Sequence, residues 1–153
     1  MSEHKVKISW QRASADFTYQ SYSRDHDWTF ENGAVVKASA TPRFLGNAQC
    51  VDPEAAFVAS LSSCHMLTFL AICARKGIVV DRYEDEALGH LDKNSAGKLA
   101  MTKVELHPRI TFSGARTPDA AELAALHDAS HHECFIANSV LTEVSVIPEG
   151  PNA

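Results

Sequence analysis

Polar and apolar residues alternate through Lys5-Val6-Lys7-Ile8-Ser9-Trp10, the period-two signature of a half-buried strand. Phe17-Thr18-Tyr19 continues in extended style. Trp28-Thr29-Phe30 runs into Glu31-Asn32-Gly33 and then Ala34-Val35-Val36-Lys37-Ala38; an Asn-Gly pair between apolar runs predicts a hairpin. Thr41-Pro42 and Leu45-Gly46-Asn47 mark a loop. A long helix follows. Asp52 is a suitable N-cap, Pro53 suits the first helical position and Glu54 meets the positive end of the helix dipole. The run Ala55 to Lys76 has neither Gly nor Pro, and Gly77 ends it after Arg75-Lys76. Most of its faces are apolar, which predicts a central, buried helix.

Beyond Gly77, Ile78 to Val80 and Tyr83 to Leu88 read as strand material, and Asn94 to Gly97 as a turn. Leu99 to Phe112 alternates imperfectly, with Pro108 signalling an edge or a bulge. Thr117-Pro118-Asp119 opens a second helix through about His132, its buried face marked by Ala120, Leu123, Leu126 and Ala129. Ser139 to Ile147 closes the pattern as a strand, and Pro148, Gly150 and Pro151 form a tail. The order β-β-β-α-β-β-α-β predicts one α+β domain over residues 1–153.

Composition narrows the classes. Of 153 residues, 45% are apolar and 22% charged, ordinary values for a globular domain and unlike a disordered, collagenous or low-complexity chain. Fourteen Lys and Arg against nineteen Asp and Glu leave a net charge of −5. Arg75-Lys76 is the one adjacent basic pair, so no basic stripe for nucleic acid is present. The most apolar stretch, Phe57 to Ala74, is interrupted by Ser60, Ser62, Ser63, His65 and Thr68, which argues against a membrane span. The first ten residues lack the apolar core of a signal peptide. A cytoplasmic location is expected, where thiols are kept reduced.

The four cysteines are Cys50, Cys64, Cys73 and Cys134, with no CxxC pair, which excludes zinc ribbons and thioredoxin-like motifs. Ser62-Ser63-Cys64-His65 interrupts an apolar helix where packing would favour Leu or Ala. Cys134 follows His131-His132-Glu133 at the end of the second helix. A buried structural thiol is the ordinary reading of either. Together they suit a second one, an accessible thiolate and a second thiol that captures its sulfenic acid. Cys73, nine residues past Cys64 and on roughly the opposite helix face, reads as core; Cys50 reads as a bystander. His127 and His131 stand four apart on one helix face, a spacing that would suit Zn²⁺ with Cys134, Cys64 or His65. No second closely spaced ligand pair accompanies them, so the expectation is histidines that face solvent or support the site from behind, and no metal.

Val51-Asp52-Pro53-Glu54 followed ten residues later by Leu61-Ser62-Ser63-Cys64-His65, then Cys134 near the end of the next helix, resembles the OsmC/Ohr family of thiol-dependent hydroperoxide reductases. The resemblance covers nearly the whole chain and is closest to an OsmC-like branch carrying Tyr22-Ser23-Arg24-Asp25-His26 and Cys134-Phe135-Ile136-Ala137-Asn138-Ser139. It implies an α+β fold in which antiparallel sheets pack around a long central helix, and an intertwined homodimer with sites at the interface. By the same resemblance Cys64 matches the peroxidatic cysteine, Cys134 the resolving one, Glu54 the active-site glutamate and Arg24 the active-site arginine, with Arg43 as the alternative. The Ohr branch commonly has Pro after the resolving cysteine; Phe135 stands there here, which bears on substrate range and reductant.

The implied reaction reduces an organic hydroperoxide to an alcohol through a Cys64 sulfenic acid and a Cys64–Cys134 disulfide. An external dithiol, a lipoyl-type dithiol among the candidates, restores the thiols, and no cofactor is involved. A free thiol titrates near ~8.5, so an arginine beside Cys64 would favour the thiolate, and a carboxylate would hold that arginine in a fork. Apolar Phe57, Leu61, Met66 and Leu67 around Cys64 would suit an alkyl tail. Glu54 and Cys64 are ten residues apart, ~15 Å along a helix, so either the helix bends or Glu54 serves another subunit. A non-enzymatic redox sensor or small-ligand binder of the same fold is the alternative function.

Overall fold

The computed structural model describes residues 1–149; Gly150 and Pro151 of the expected tail lie outside that range. The chain divides into two units, Met1–Ala56 and Phe57–Ala153. The fold is α+β, with two α-helices and mainly antiparallel sheets among the described residues.

In the first unit, β1 (Val6–Ser9), β2 (His26–Phe30) and β3 (Val35–Ala38) form an antiparallel meander. The Asn32-Gly33 turn closes as the sequence predicts. Phe30 N–H donates to Ala34 O at 2.9 Å, and Gly33 holds φ +84°, a conformation that an L side chain resists. Phe17 to Tyr19 is not strand. The chain turns there, with the N–H groups of Ser21 and Tyr22 both donating to Thr18 O, and the Ser21 hydroxyl accepts from Thr18 N–H. Local hydroxyl bonds of this kind compete with a ladder.

Helix α1 runs unbroken over Pro53–Arg75. The Asp52 carboxylate accepts from Ala55 N–H at 2.8 Å, satisfying one free donor of the first turn. Gly77, at φ +68°, ends the helix. The helix is long and apolar enough, by length and composition alone, to cross a membrane. It is not buried all round: only Leu61, His65, Phe69 and Cys73 are fully buried, a stripe at spacing four, while Leu67 is 60% exposed.

In the second unit, β4 (Val79–Asp85) pairs with β7 (Pro108–Ser113), and β5 (Leu88–Lys93), β6 (Leu99–Leu106) and β8 (Glu143–Val146) form a sheet in the order β5-β6-β8. The β6–β8 pair is parallel. Strand β4 runs through the gap expected at Asp81 and Arg82, where a bulge between Val80 and Arg82 absorbs the irregularity, and it ends at Asp85; Leu88, expected at its end, opens β5. The expected single segment Leu99 to Phe112 is two strands. Pro108 cannot donate to a ladder and starts β7; before it, His107 N–H leaves the ladder for the Asp85 carboxylate at 2.7 Å. Helix α2 spans Ala120–Glu133, capped by Asp119, which accepts from Glu122 N–H. Its buried face is Leu123, Leu126, His127 and Ser130; Ala120 and Ala129 are exposed. A short 3-10 turn, Ala137–Ser139, occupies the start of the expected last strand.

Two apolar cores hold this unit. Phe69 and Cys73 of α1 pack with Ile110, Phe112, Leu123 and Leu126. Leu61 packs with Val104 and Leu106. One side of α1 is thereby fixed against the strands and α2, which sets where the residue beside its buried stripe, Cys64, can point.

Candidate active site

The expected site residues fall into two groups, one in each unit. In the second unit the Cys64 thiol neighbours that of Cys134. Cys64 lies midway along α1 and is partly exposed; Cys134 is the C-cap residue of α2 and is 1% exposed. Three things place Cys134. Its N–H donates to His131 O at 3.3 Å, ending the helix. Its sulfur accepts from Ala137 N–H at 3.4 Å. The Asn138 amide donates to its carbonyl at 3.1 Å. Burial pushes the Cys134 thiol up to about 11, the Cys64 thiol adds to this, and the Ala137 N–H opposes it. At neutral pH Cys134 is therefore a thiol.

The polar residues around Cys64 have partners that sequence patterns did not reveal. The Ser62 hydroxyl donates to the Asp85 carboxylate at 2.5 Å. The Thr68 hydroxyl donates to Cys64 O at 2.9 Å. His65, 1% exposed, meets His127, 2% exposed, through ring nitrogens Nε2 and Nδ1 at 3.0 Å. The two rings are nearly parallel, 9° apart, and His127 also stacks on Phe69. Of the two expectations for His127, the solvent-facing one does not hold, because the ring is buried against His65. Its place between Leu126 and Ser130 on the buried face of α2 was the available signal, as was His65 at spacing four from Leu61 and Phe69. His127 is engaged by His65, and among the described residues no three His, Cys, Asp or Glu side chains gather.

Of the other thiols, Cys73 is core, as expected, and burial pushes it up to about 11. Cys50 is half-buried in the loop before α1. Leu61, expected near an alkyl tail, instead turns into the core.

In the first unit Arg24 and Glu54 line one cavity of about 560 Å³ with Ile8, Trp10, Phe17 and Tyr22. The three aromatic rings pack on one another at centroid distances of 5.4–6.5 Å, giving the cavity an apolar wall. The Arg24 guanidinium lies 3.8 Å over the Tyr22 ring, a cation–π contact. It donates to Tyr22 O at 2.5 Å and also to Tyr19 O. The expected carboxylate fork is absent: among the described residues Glu54 makes no ion pair with Arg24, because the guanidinium folds back on the carbonyls of its own loop. The Arg24 Nε is buried without a partner.

Behind Arg24 stands a defined relay. Trp28 Nε1 donates to His26 Nε2 at 2.8 Å. An indole nitrogen only donates, so His26 carries its proton on Nδ1, which donates to Arg24 O at 2.8 Å. Arg43 sits exposed on the 3-10 turn Pro42–Phe44, 5.8 Å from the Phe44 ring centroid.

The family model described as OsmC-like protein matches residues 46–149. Among solved structures, an OsmC-like protein of unknown function from Vibrio cholerae is 47% identical, with TM-score 0.94 over 97% of this chain and 100% of that one. An organic hydroperoxide resistance protein OsmC from Legionella pneumophila superposes with TM-score 0.71 at 15% identity, covering 97% and 96% of the two chains. An organic hydroperoxide resistance protein from Elizabethkingia anophelis does so with TM-score 0.70 at 16% identity, covering 97% and 98%. At such identities these last two are similar in fold. A search of curated proteins finds no match.

Proposed function

Because the chain belongs to the OsmC-like protein family, we propose that it is a cysteine-based peroxidase that reduces organic hydroperoxides to alcohols. The observation that carries this reading is that the Cys64 thiol lies close enough to Cys134 to raise its proton affinity. Two neighbouring thiols can exchange chemistry without a change of fold, and their environments suit different roles. Cys64 is partly exposed and can meet a hydroperoxide; Cys134 is buried and held protonated.

The steps balance as follows. The Cys64 thiolate attacks the distal peroxide oxygen; the O–O bond breaks, and the alkoxide takes a proton and leaves as the alcohol. Cys64 becomes a sulfenic acid. The Cys134 sulfur attacks that sulfur, the S–S bond forms, and hydroxide leaves with the Cys134 proton as water. An external dithiol then reduces the disulfide and is itself oxidised to a disulfide. Arg24 is the cation that favours the Cys64 thiolate, and Glu54 works in the same cavity. Glu54 and Cys64 share a continuous helix and stand ~15 Å apart along it. The reading therefore includes a homodimer in which Glu54 and Arg24 of one protomer complete the Cys64 site of its partner. Val6 and Ile8, more than half exposed on β1, supply apolar surface for such an assembly. A cytoplasmic site of action follows from thiols that must be re-reduced.

The reading is tested by consumption of cumene hydroperoxide in the presence of excess dithiol. Turnover by the wild type that is lost in Cys64→Ser supports it. Thiol oxidation without turnover would instead make the protein a redox sensor, and no reaction at all would overturn it.

A further inference from the structure

A hydrogen-bonded imidazole pair is an unusual choice for the core between two helices. Elsewhere α1 and α2 meet through Phe69, Cys73, Leu123 and Leu126. Apolar contacts of this kind are non-directional and tolerate small slides. Each imidazole buried there carries a desolvation cost that its single bond offsets only in part, and the pair leaves His65 Nδ1 and His127 Nε2 buried without partners. Replacing both partners of a buried hydrogen bond by apolar groups of similar shape is often nearly neutral. Stability alone therefore does not account for the pair.

Its position does. His65 follows Cys64 directly on α1, and His127 lies on α2, whose C-cap is Cys134. The His65–His127 bond joins the two elements that carry the two thiols, and it is directional. We propose that this bond is a register lock: His65 and His127 are positioning residues for closure of the Cys64–Cys134 disulfide. The inference rests on the peroxidase reading and names which of its steps the pair serves. Closure breaks the S–O bond of the Cys64 sulfenic acid, forms S–S and releases water, and it needs the Cys134 sulfur in line with a bond that is being broken. Attack on the hydroperoxide involves Cys64 alone and does not need α2 in register. A sulfenic acid left waiting is exposed to a second equivalent of peroxide and passes to sulfinic acid. Both rings stay neutral at neutral pH, since burial lowers their proton affinity, with repulsion from His131 adding to this at His65 and repulsion from His65 adding to it at His127, so the bond persists under working conditions.

The test is a single-turnover experiment on wild type, His65→Leu/His127→Leu and His127→Asn, the last of which keeps an amide where Nδ1 stood. Peroxide consumption reports the first step; a quench with mass spectrometry reports disulfide and sulfinic acid. In the double variant, melting close to wild type, the first step is expected within about threefold of wild type, whereas closure slows by about tenfold or more, as misplacement of a reacting group does. Sulfinic acid on Cys64 rises accordingly. In His127→Asn closure recovers toward wild type. Closure at the wild-type rate in the double variant, or equal slowing of both steps, overturns the lock. If the double variant does not fold, slow closure in His127→Leu with recovery in His127→Asn supports it, and equal closure in those two variants overturns it. A wild type that forms no Cys64–Cys134 disulfide would fail the peroxidase reading itself, a separate result.

Discussion

The Cys64 thiol, midway along α1, neighbours that of Cys134, the C-cap residue of α2. Cys134 is there because its backbone caps the helix and its sulfur accepts from Ala137. The proximity is thus built by secondary structure, and each thiol can be changed without removing the other's support.

Cys64→Ser removes the nucleophile with little change of volume. Peroxide turnover is expected to fall to the uncatalysed background, with stability changed by less than about 1.5 kcal/mol. A steady-state assay beside a urea titration checks both.

Cys134→Ser leaves the first step intact and removes the partner of the sulfenic acid. Peroxide treatment should add two or three oxygens to the Cys64 peptide. Oxygens on the Cys50 or Cys73 peptides in its place would assign the reaction to another thiol.

Arg24→Ala is expected to slow alkylation of Cys64 at neutral pH by on the order of tenfold, because the thiolate loses a cation. Arg43→Ala, at an exposed turn residue, should leave the rate unchanged. The reverse pattern would move the arginine's role to position 43.

Co-expressed Glu54→Ala and Cys64→Ser chains, each inactive alone, should recover activity in mixed dimers, because one site then has both residues. Folded, dimeric and inactive mixtures would place the whole site in one protomer.

The histidine pair gives stability a defined pH dependence. His65 and His127 are lowered from 6.5 to about 4, first by burial; His131 adds to this at His65 while Asp85 opposes it, and His65 adds to it at His127. Between pH 6.5 and about 4 the unfolded chain takes up protons that the folded one refuses. Stability therefore falls as pH drops through that window and levels off on either side. The loss is roughly 3 kcal/mol for one such residue acting alone. Urea titrations across the window should show a shallower decline in His65→Leu/His127→Leu; an identical decline would assign the pH dependence elsewhere.

What the sequence made legible was local. Asp52, Pro53 and Gly77 bounded α1, Asn32-Gly33 placed the hairpin, and Asp119 opened α2, because caps and turns act over three or four residues. Strand β5 was hidden by Gly89, His90 and Asp92, whose preference for strand is poor, and it forms because β6 pairs with it. The parallel β6–β8 pair and the break at His107 depend on partners far along the chain. Cys64 and Cys134 were singled out by their neighbours and by family resemblance, yet their proximity is tertiary. His65 and His127 were missed as a pair for the same reason: each reads as an isolated imidazole until the two helices are packed.

The central claim is that Cys64 and Cys134 form a working redox pair, and one measurement addresses it most directly. Reduced protein is treated with one equivalent of cumene hydroperoxide, its free thiols are counted, and its peptides are mapped without reduction. The account predicts loss of two thiols per chain, a Cys64–Cys134 cross-link, and Cys50 and Cys73 still free. Four free thiols after treatment, or a cross-link through Cys50 or Cys73, would contradict it.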